Sequence, residues 1–211
     1  MIFAILPVKS PKNAKQRLKD YLSLEERETL ARLLYRQTLA RLLQARGIDR
    51  VIVVTSDPEV AAHARNSGVE VFDETEQVSH SVSADVACRR AMAMGATTAM
   101  LVPIDVPTVT PADFTRLAAS ARPGLILVPS SDGTGTNALV RTPPDVIQSR
   151  FGPGSCHAHL EQARAKGVFA EVFRLPGLMF DIDTPEDVAE FLAGPHECEV
   201  SSFLRSACAS K

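Results

Sequence analysis

Apolar residues in this chain come in short unbroken runs, separated by longer stretches with helical spacing. Residues 2–8 (IFAILPV), 51–55 (VIVVT), 69–72 (VEVF), 98–103 (TAMLVP) and 124–129 (GLILVP) are too continuously apolar to keep one face wet. That pattern predicts strands of a mostly parallel sheet covered on both sides. Helices are predicted between them over 24–46, 58–67, 82–94 and 111–121. The first opens on Ser23-Leu-Glu-Glu26, a capping-box sequence, and stops at Gly47. The fourth has Thr110 as N-cap and Pro111 at the first helical position, where a missing N–H costs nothing. Strands alternating with helices of this length imply βαβ units, hence a three-layer, Rossmann-like α/β domain.

After residue 130 the rhythm changes. A turn-rich loop, Ser130-Ser-Asp-Gly-Thr-Gly-Thr-Asn137, leads into a short strand at 138–141. A second glycine-rich turn, Phe151-Gly-Pro-Gly-Ser155, precedes a helix near 157–166, and a strand follows at 169–175. Beyond Phe180-Asp-Ile-Asp183, the run Thr184-Pro185-Glu186-Asp187 opens a last helix with acidic residues in its first turn, where the dipole favours them. Residues 1–194 therefore read as one domain, and 195–211 as a polar, frayed tail.

Composition narrows the function. The 211 residues suffice for one domain with a substantial core. A net charge of -2 with both signs scattered leaves no basic stripe for nucleic acid. Acidic substrates must then be met by local groups. No apolar run reaches the roughly 18 residues of a membrane span, and the N-terminus lacks the basic lead of a signal peptide, so a cytoplasmic location is expected. The four cysteines match neither zinc nor thioredoxin spacing. Cys198 and Cys208 share the tail and could pair, but are read as reduced bystanders.

Four segments carry candidate chemistry. The loop after the first strand, Pro7-Val8-Lys9-Ser10-Pro11-Lys12-Asn13-Ala14-Lys15-Gln16-Arg17-Leu18, holds four cations in nine residues ahead of a helix start. At the carboxyl end of a strand in an open α/β sheet it can hold phosphates, although on charge alone the usual fate of such a run is a solvated basic turn. Asp105, in Val102-Pro-Ile-Asp-Val-Pro107, ends a buried apolar run where aspartate is disfavoured, which suits a metal ligand better than a cap. In Asp181-Ile182-Asp183, alternate residues of an extended segment can address one site. Paired carboxylates of this kind suit Mg²⁺, a hard cation that prefers oxygen ligands; one of them could instead cap the last helix. Finally, the glycines of 132–137 and 151–155 let backbone N–H groups approach an anion. The histidines form no metal set, although His157 or His159 could touch an anion from a helix N-terminus.

Taken in order, these segments resemble the guanylyltransferases of coenzyme F420 biosynthesis, the family of 2-phospho-L-lactate guanylyltransferase. The resemblance rests on PVKSPKNAKQRL at 7–18, SLEER at 23–27, PIDVP at 103–107, GTGTNALV at 133–140, FGPGSCHAH at 151–159 and DIDTPEDV at 181–188. It implies a nucleotidyltransferase-type fold, with GTP as donor and GMP transfer to a phosphorylated three-carbon acid. That acid would be 2-phospho-L-lactate, phosphoenolpyruvate or 3-phospho-D-glycerate. It also implies Asp105, Asp181 and Asp183 as metal ligands. Lys9, Lys15 and Arg17 would then face the nucleotide phosphates, and Thr136, Asn137, Gly152 and Ser155 the acceptor. A homodimer is reasonable for such a family. The chain departs from the family at Ser81-Val82-Ser83, where Gly-Leu-Asn is usual; Ser83 could replace one asparagine contact near the base or ribose. That departure leaves open another nucleotide or a sugar phosphate. A silent nucleotide-binding regulator is a further alternative, disfavoured by the intact carboxylates.

Overall fold

The computed structural model describes residues 1–74 and 79–209. Its strands are β1 (Ile2–Pro7), β2 (Arg50–Thr55), β3 (Glu70–Asp73), β4 (Thr98–Leu101), β5 (Gly124–Pro129), β6 (Thr136–Thr142) and β7 (Ala170–Val172). They form one seven-stranded sheet in the order β3-β2-β1-β4-β6-β5-β7. The β1–β2, β1–β4, β2–β3 and β5–β7 pairs are parallel, while β6 runs antiparallel to both β4 and β5. The reversal of β6 follows from its connection. Only residues 130–135 separate it from β5, and a parallel crossover needs a dozen residues or more.

The helices are α1 (Leu24–Leu43), α2 (Pro58–Asn66), α3 (His80–Ala93), α4 (Pro111–Ala119), α5 (Ser155–Ala165), the short α6 (Pro176–Met179), α7 (Pro185–Ala193) and α8 (Glu199–Ala209). Successive residues of β1 point to opposite faces. Ala4 and Leu6 pack with Tyr35 and Leu39 of α1, Val60 of α2, Phe114 of α4 and Leu178 of α6. Phe3 and Ile5 pack with Ala84, Ala87 and Ala91 of α3 and Ala163 of α5. Both faces are covered, which is why the strands read as continuous apolar runs. The buried Arg141 of β6 joins this second layer to the sheet by donating to Asp85 Oδ1 of α3 at 2.9 Å and to the Ile147 carbonyl at 2.8 Å.

The C-terminal segment corrects the expected frayed tail. Residues 199–209 are helical, and Val200, Leu204 and Ala207 are buried with Leu30 and Leu34 of α1 and Val188 and Phe191 of α7. Their spacing of four and three places them on one helical stripe, which the intervening serines and cysteines obscure in the composition. Residues 210 and 211 lie outside the described residues. Cys198 and Cys208 are unpaired as disulfides, as expected. The loop after β1 also differs from expectation: it forms two short 3-10 turns, Pro11–Asn13 and Gln16–Leu18, with no α-helix start behind it. Among the described residues no helix is long and apolar enough to cross a membrane.

Candidate active site

Asp105 follows the carboxyl end of β4, and Asp181 and Asp183 follow α6. One oxygen of each lies within 4.8 Å of the others. Backbone pairing brings the two segments together, with the Ile182 N–H donating to the Asp105 carbonyl at 3.1 Å. Ile182 is fully buried in the α1–α7–α8 cluster, so extended alternation sends both flanking carboxylates the other way. Neither open capping role is realised. Thr184 caps α7 in a capping box with Asp187, and Thr110 caps α4 with Asp113.

Lys15 enters this group from the β1 loop. Its Nζ donates to Asp105 Oδ2 at 3.0 Å and to Asp183 Oδ1 at 2.9 Å, and its side chain is only 6% exposed. The backbone there is left-handed, with φ of 52°, at a cost of about 1 kcal/mol for a residue with a Cβ. The two charge-assisted hydrogen bonds offset that cost. Three further contacts hold the loop: Val8 N–H to the Val54 carbonyl at 2.8 Å, Ser10 Oγ to Asp57 Oδ2 at 3.0 Å, and Arg27 Nη1 to the Ala14 carbonyl at 3.2 Å. Arg17 is exposed, with Nη1 3.6 Å from Asp183 Oδ2. Lys9 is exposed, and its charge is felt at His80.

The electrostatics follow from this placement. Burial alone would lower the Lys15 pKa, but the charges of Asp105 and Asp183 outweigh it and hold the ammonium above its ordinary value. Burial likewise opposes the charge of Asp105, and Lys15 wins, holding that carboxyl below its ordinary range. Asp181 behaves oppositely. Burial, then the neighbouring charge of Asp105, push it up to about 6 against a hydrogen bond from Asn137.

Thr136 and Asn137 open β6 at a bulge. Val128 pairs with Ala138 and Pro129 with Thr136, so Asn137 is an extra residue in β6. Its amide faces α6 and donates to the Leu178 and Met179 carbonyls at 2.9 and 3.0 Å and to Asp181 Oδ1 at 3.2 Å. Thr136 faces α5 instead, with Oγ1 3.1 Å from His159 Nδ1. The Cys156 N–H donates to the Thr134 carbonyl at 3.0 Å, which locks the two glycine-rich loops together. Gly152 and Gly154 have φ of 130° and 71°, values that a residue with a Cβ rarely adopts. Ser155 is the first residue of α5 and is buried.

The structure thus gathers Asp105, Asp181, Asp183, Lys15 and Arg17 into one group and attaches Asn137 to it through Asp181. Thr136 is joined to α5, whose N-terminal turn carries Gly152 and Ser155. Ser83 does not join either group in this conformation, because it is buried at 3% exposure on α3. Its neighbour Ser81 accepts from the Phe151 N–H at 2.9 Å and so supports the glycine-rich turn. Sequence reasoning gave no role to His80. His80 packs edge-on to Phe151, and burial followed by the Lys9 charge pushes its pKa down to about 4. Of the two histidines expected near an anion, His159 is fully buried, with its ring turned to Thr136 and the Arg150 backbone, while His157 is exposed.

Known proteins resemble this chain in sequence and in fold. The family described as guanylyl transferase CofC like matches residues 2–210. A phosphoenolpyruvate guanylyltransferase from Sphaerobacter thermophilus is 38% identical over 195 residues, covering 90% of this chain and 92% of that protein. A 3-phospho-D-glycerate guanylyltransferase from Colwellia psychrerythraea is 30% identical over 207 residues, covering 96% and 98%. A solved structure from Desulfovibrio desulfuricans, provisionally named a nucleotide-diphospho-sugar transferase, superposes with a TM-score of 0.79 at 15% identity, covering 99% of this chain and 95% of that one. The last shares the fold; the first two, with the family match, show that this chain belongs to the CofC-like guanylyl transferase family.

Proposed function

We propose that this chain moves GMP from GTP onto a phosphorylated three-carbon acid and releases pyrophosphate. The observation that carries the reading is the convergence of Asp105, Asp181 and Asp183 within 4.8 Å, beside the cationic loop that leaves β1. In an open α/β sheet this is where ligands gather, outside the carboxyl ends of the strands.

The donor set fits Mg²⁺. It offers three hard oxygen donors within 4.8 Å of one another, one each from Asp105, Asp181 and Asp183. Bound there, Mg²⁺ would neutralise phosphate charge and orient the reacting oxygens. The remaining work falls to the chain. Lys9 and Arg17, both exposed at the mouth of the loop, would meet the triphosphate. Lys15 keeps two of the carboxylates in register. Thr136, Ser155 and the backbone of the Gly152 turn would hold the acceptor's phosphate or carboxylate.

An oxygen of the acceptor phosphate forms the new bond to the α-phosphorus of GTP as the bond to the β-phosphate oxygen breaks. The departing pyrophosphate takes the electron pair. That nucleophile is already ionised at neutral pH, so no strong general base is required, and catalysis is mainly positioning and charge neutralisation. The resemblance places the product in coenzyme F420 biosynthesis.

Pyrophosphate release tests this, using purified protein, Mg²⁺ and GTP with phosphoenolpyruvate, 3-phospho-D-glycerate and 2-phospho-L-lactate supplied separately. Mass spectrometry identifies any guanylylated product. Release with one acceptor, lost when ATP or CTP replaces GTP, supports the reading. GTP-independent release, or none with any acceptor, sends the search to other nucleotides, consistent with the buried Ser83.

A further inference from the structure

The hydrogen bonds around His159 determine which way the Thr136 hydroxyl points. The Arg150 backbone N–H donates to His159 Nε2 at 2.8 Å. A backbone N–H can only donate, so Nε2 must be the unprotonated nitrogen of the ring. The ring is fully buried, and burial followed by the Arg141 charge pushes its pKa down to about 4, so it is neutral near pH 7. A neutral ring with a free Nε2 carries its proton on Nδ1.

Nδ1 lies 3.1 Å from Thr136 Oγ1. Thr136 therefore accepts from the imidazole, and its own hydroxyl proton is left to donate elsewhere. Beside the glycine-rich turn of 151–155, the matching group is an anionic oxygen. We propose that His159 is a positioning residue that makes Thr136 an obligate hydrogen-bond donor to the acceptor's anionic group. The inference rests on the reading that Thr136 holds the acceptor. It adds a chain of control running from the Arg150 backbone through the imidazole to the substrate.

Two amide substitutions separate the ring's nitrogens. In His159→Asn the side-chain amide falls near the place of Nδ1 and can still donate to Thr136. In His159→Gln it falls near Nε2, keeping a partner for the Arg150 N–H but placing nothing at Nδ1. In the pyrophosphate-release assay with the full chain, His159→Gln is expected to raise KM for the acceptor about tenfold, the worth of one oriented hydrogen bond. KM for GTP should stay unchanged, and His159→Asn should recover most of the loss. In a Thr136→Val background, His159→Gln should add nothing further, because the hydroxyl it orients is gone. Additive losses in that double variant, equal loss in both amide variants, or a parallel rise in KM for GTP would overturn the positioning role. If Thr136→Val itself leaves acceptor KM unchanged, the acceptor reading of that loop fails. If Thr136→Val raises it and His159→Gln does not, only the inference about His159 fails.

Discussion

The Asn137 amide donates to Asp181 Oδ1 at 3.2 Å while also donating to the Leu178 and Met179 carbonyls. One side chain thus ties the bulge of β6 to the segment that delivers two of the three clustered carboxylates. Asn137→Ala should cost about 1–3 kcal/mol of stability, since acceptors in a half-buried site lose their donor. It should also lower kcat as Asp181 drifts. Urea unfolding and steady-state kinetics on the same preparation check both effects.

Asp105→Asn and Asp183→Asn each remove a charge from the cluster and an ionic partner from Lys15. Turnover should fall about a hundredfold or more, since metal-borne charge stabilisation is worth several kcal/mol at roughly tenfold per 1.4 kcal/mol. The circular dichroism spectrum should be unchanged, and the Mg²⁺ concentration for half-maximal rate should rise. Near-normal rates under limiting Mg²⁺ would remove these residues from the metal site.

If Mg²⁺ binds at the proposed site, Asp181 should give that binding a pH dependence. Its carboxyl is pushed up to about 6, by burial first and by the Asp105 charge next. A proton must leave before that oxygen can serve a cation, so apparent Mg²⁺ affinity should rise as pH climbs from 5 to 7. Calorimetric titration at three pH values measures this, and Asp181→Asn should flatten the trend.

His159 acts on folding stability in a defined direction. Its pKa falls from 6.5 unfolded to about 4 folded, so its contribution is fully present above pH 6.5 and is lost as pH falls toward 4, up to about 3 kcal/mol. Asp181 runs the other way: its folded value is raised, so its contribution is present below about pH 4 and lost as pH rises through 6. Metal-free urea unfolding between pH 4 and 7 should therefore show a steeper gain of stability with pH in Asp181→Asn than in the parent.

The C-terminal helix should matter to the fold. Leu204 is fully buried between α1 and α7, so Leu204→Ala should destabilise by about 2–5 kcal/mol. Thermal unfolding reads this directly, and a value near zero would return the segment to the status of a tail.

Much of this protein was legible from its one-dimensional pattern. Residues 2–7 and 124–129 are apolar on both faces of the pleat, and the structure buries them between two helical layers. Capping signals at Ser23, Thr110 and Thr184 mark helix starts to the residue because caps are local hydrogen bonds. Asp105, Asp181 and Asp183 stood out because carboxylates at the ends of apolar segments are out of place without a partner. What the sequence could not decide depends on contacts between distant segments. The amphipathic stripe of 199–209 has no meaning until α1 presents a second apolar face to it. The bulge at Asn137 is a mismatch between two strands, so no property of β6 alone shows that Pro129 pairs with Thr136 and leaves Asn137 unpaired with β5. The tautomer of His159 is set by a backbone amide nine residues away, which only the folded chain brings to its ring.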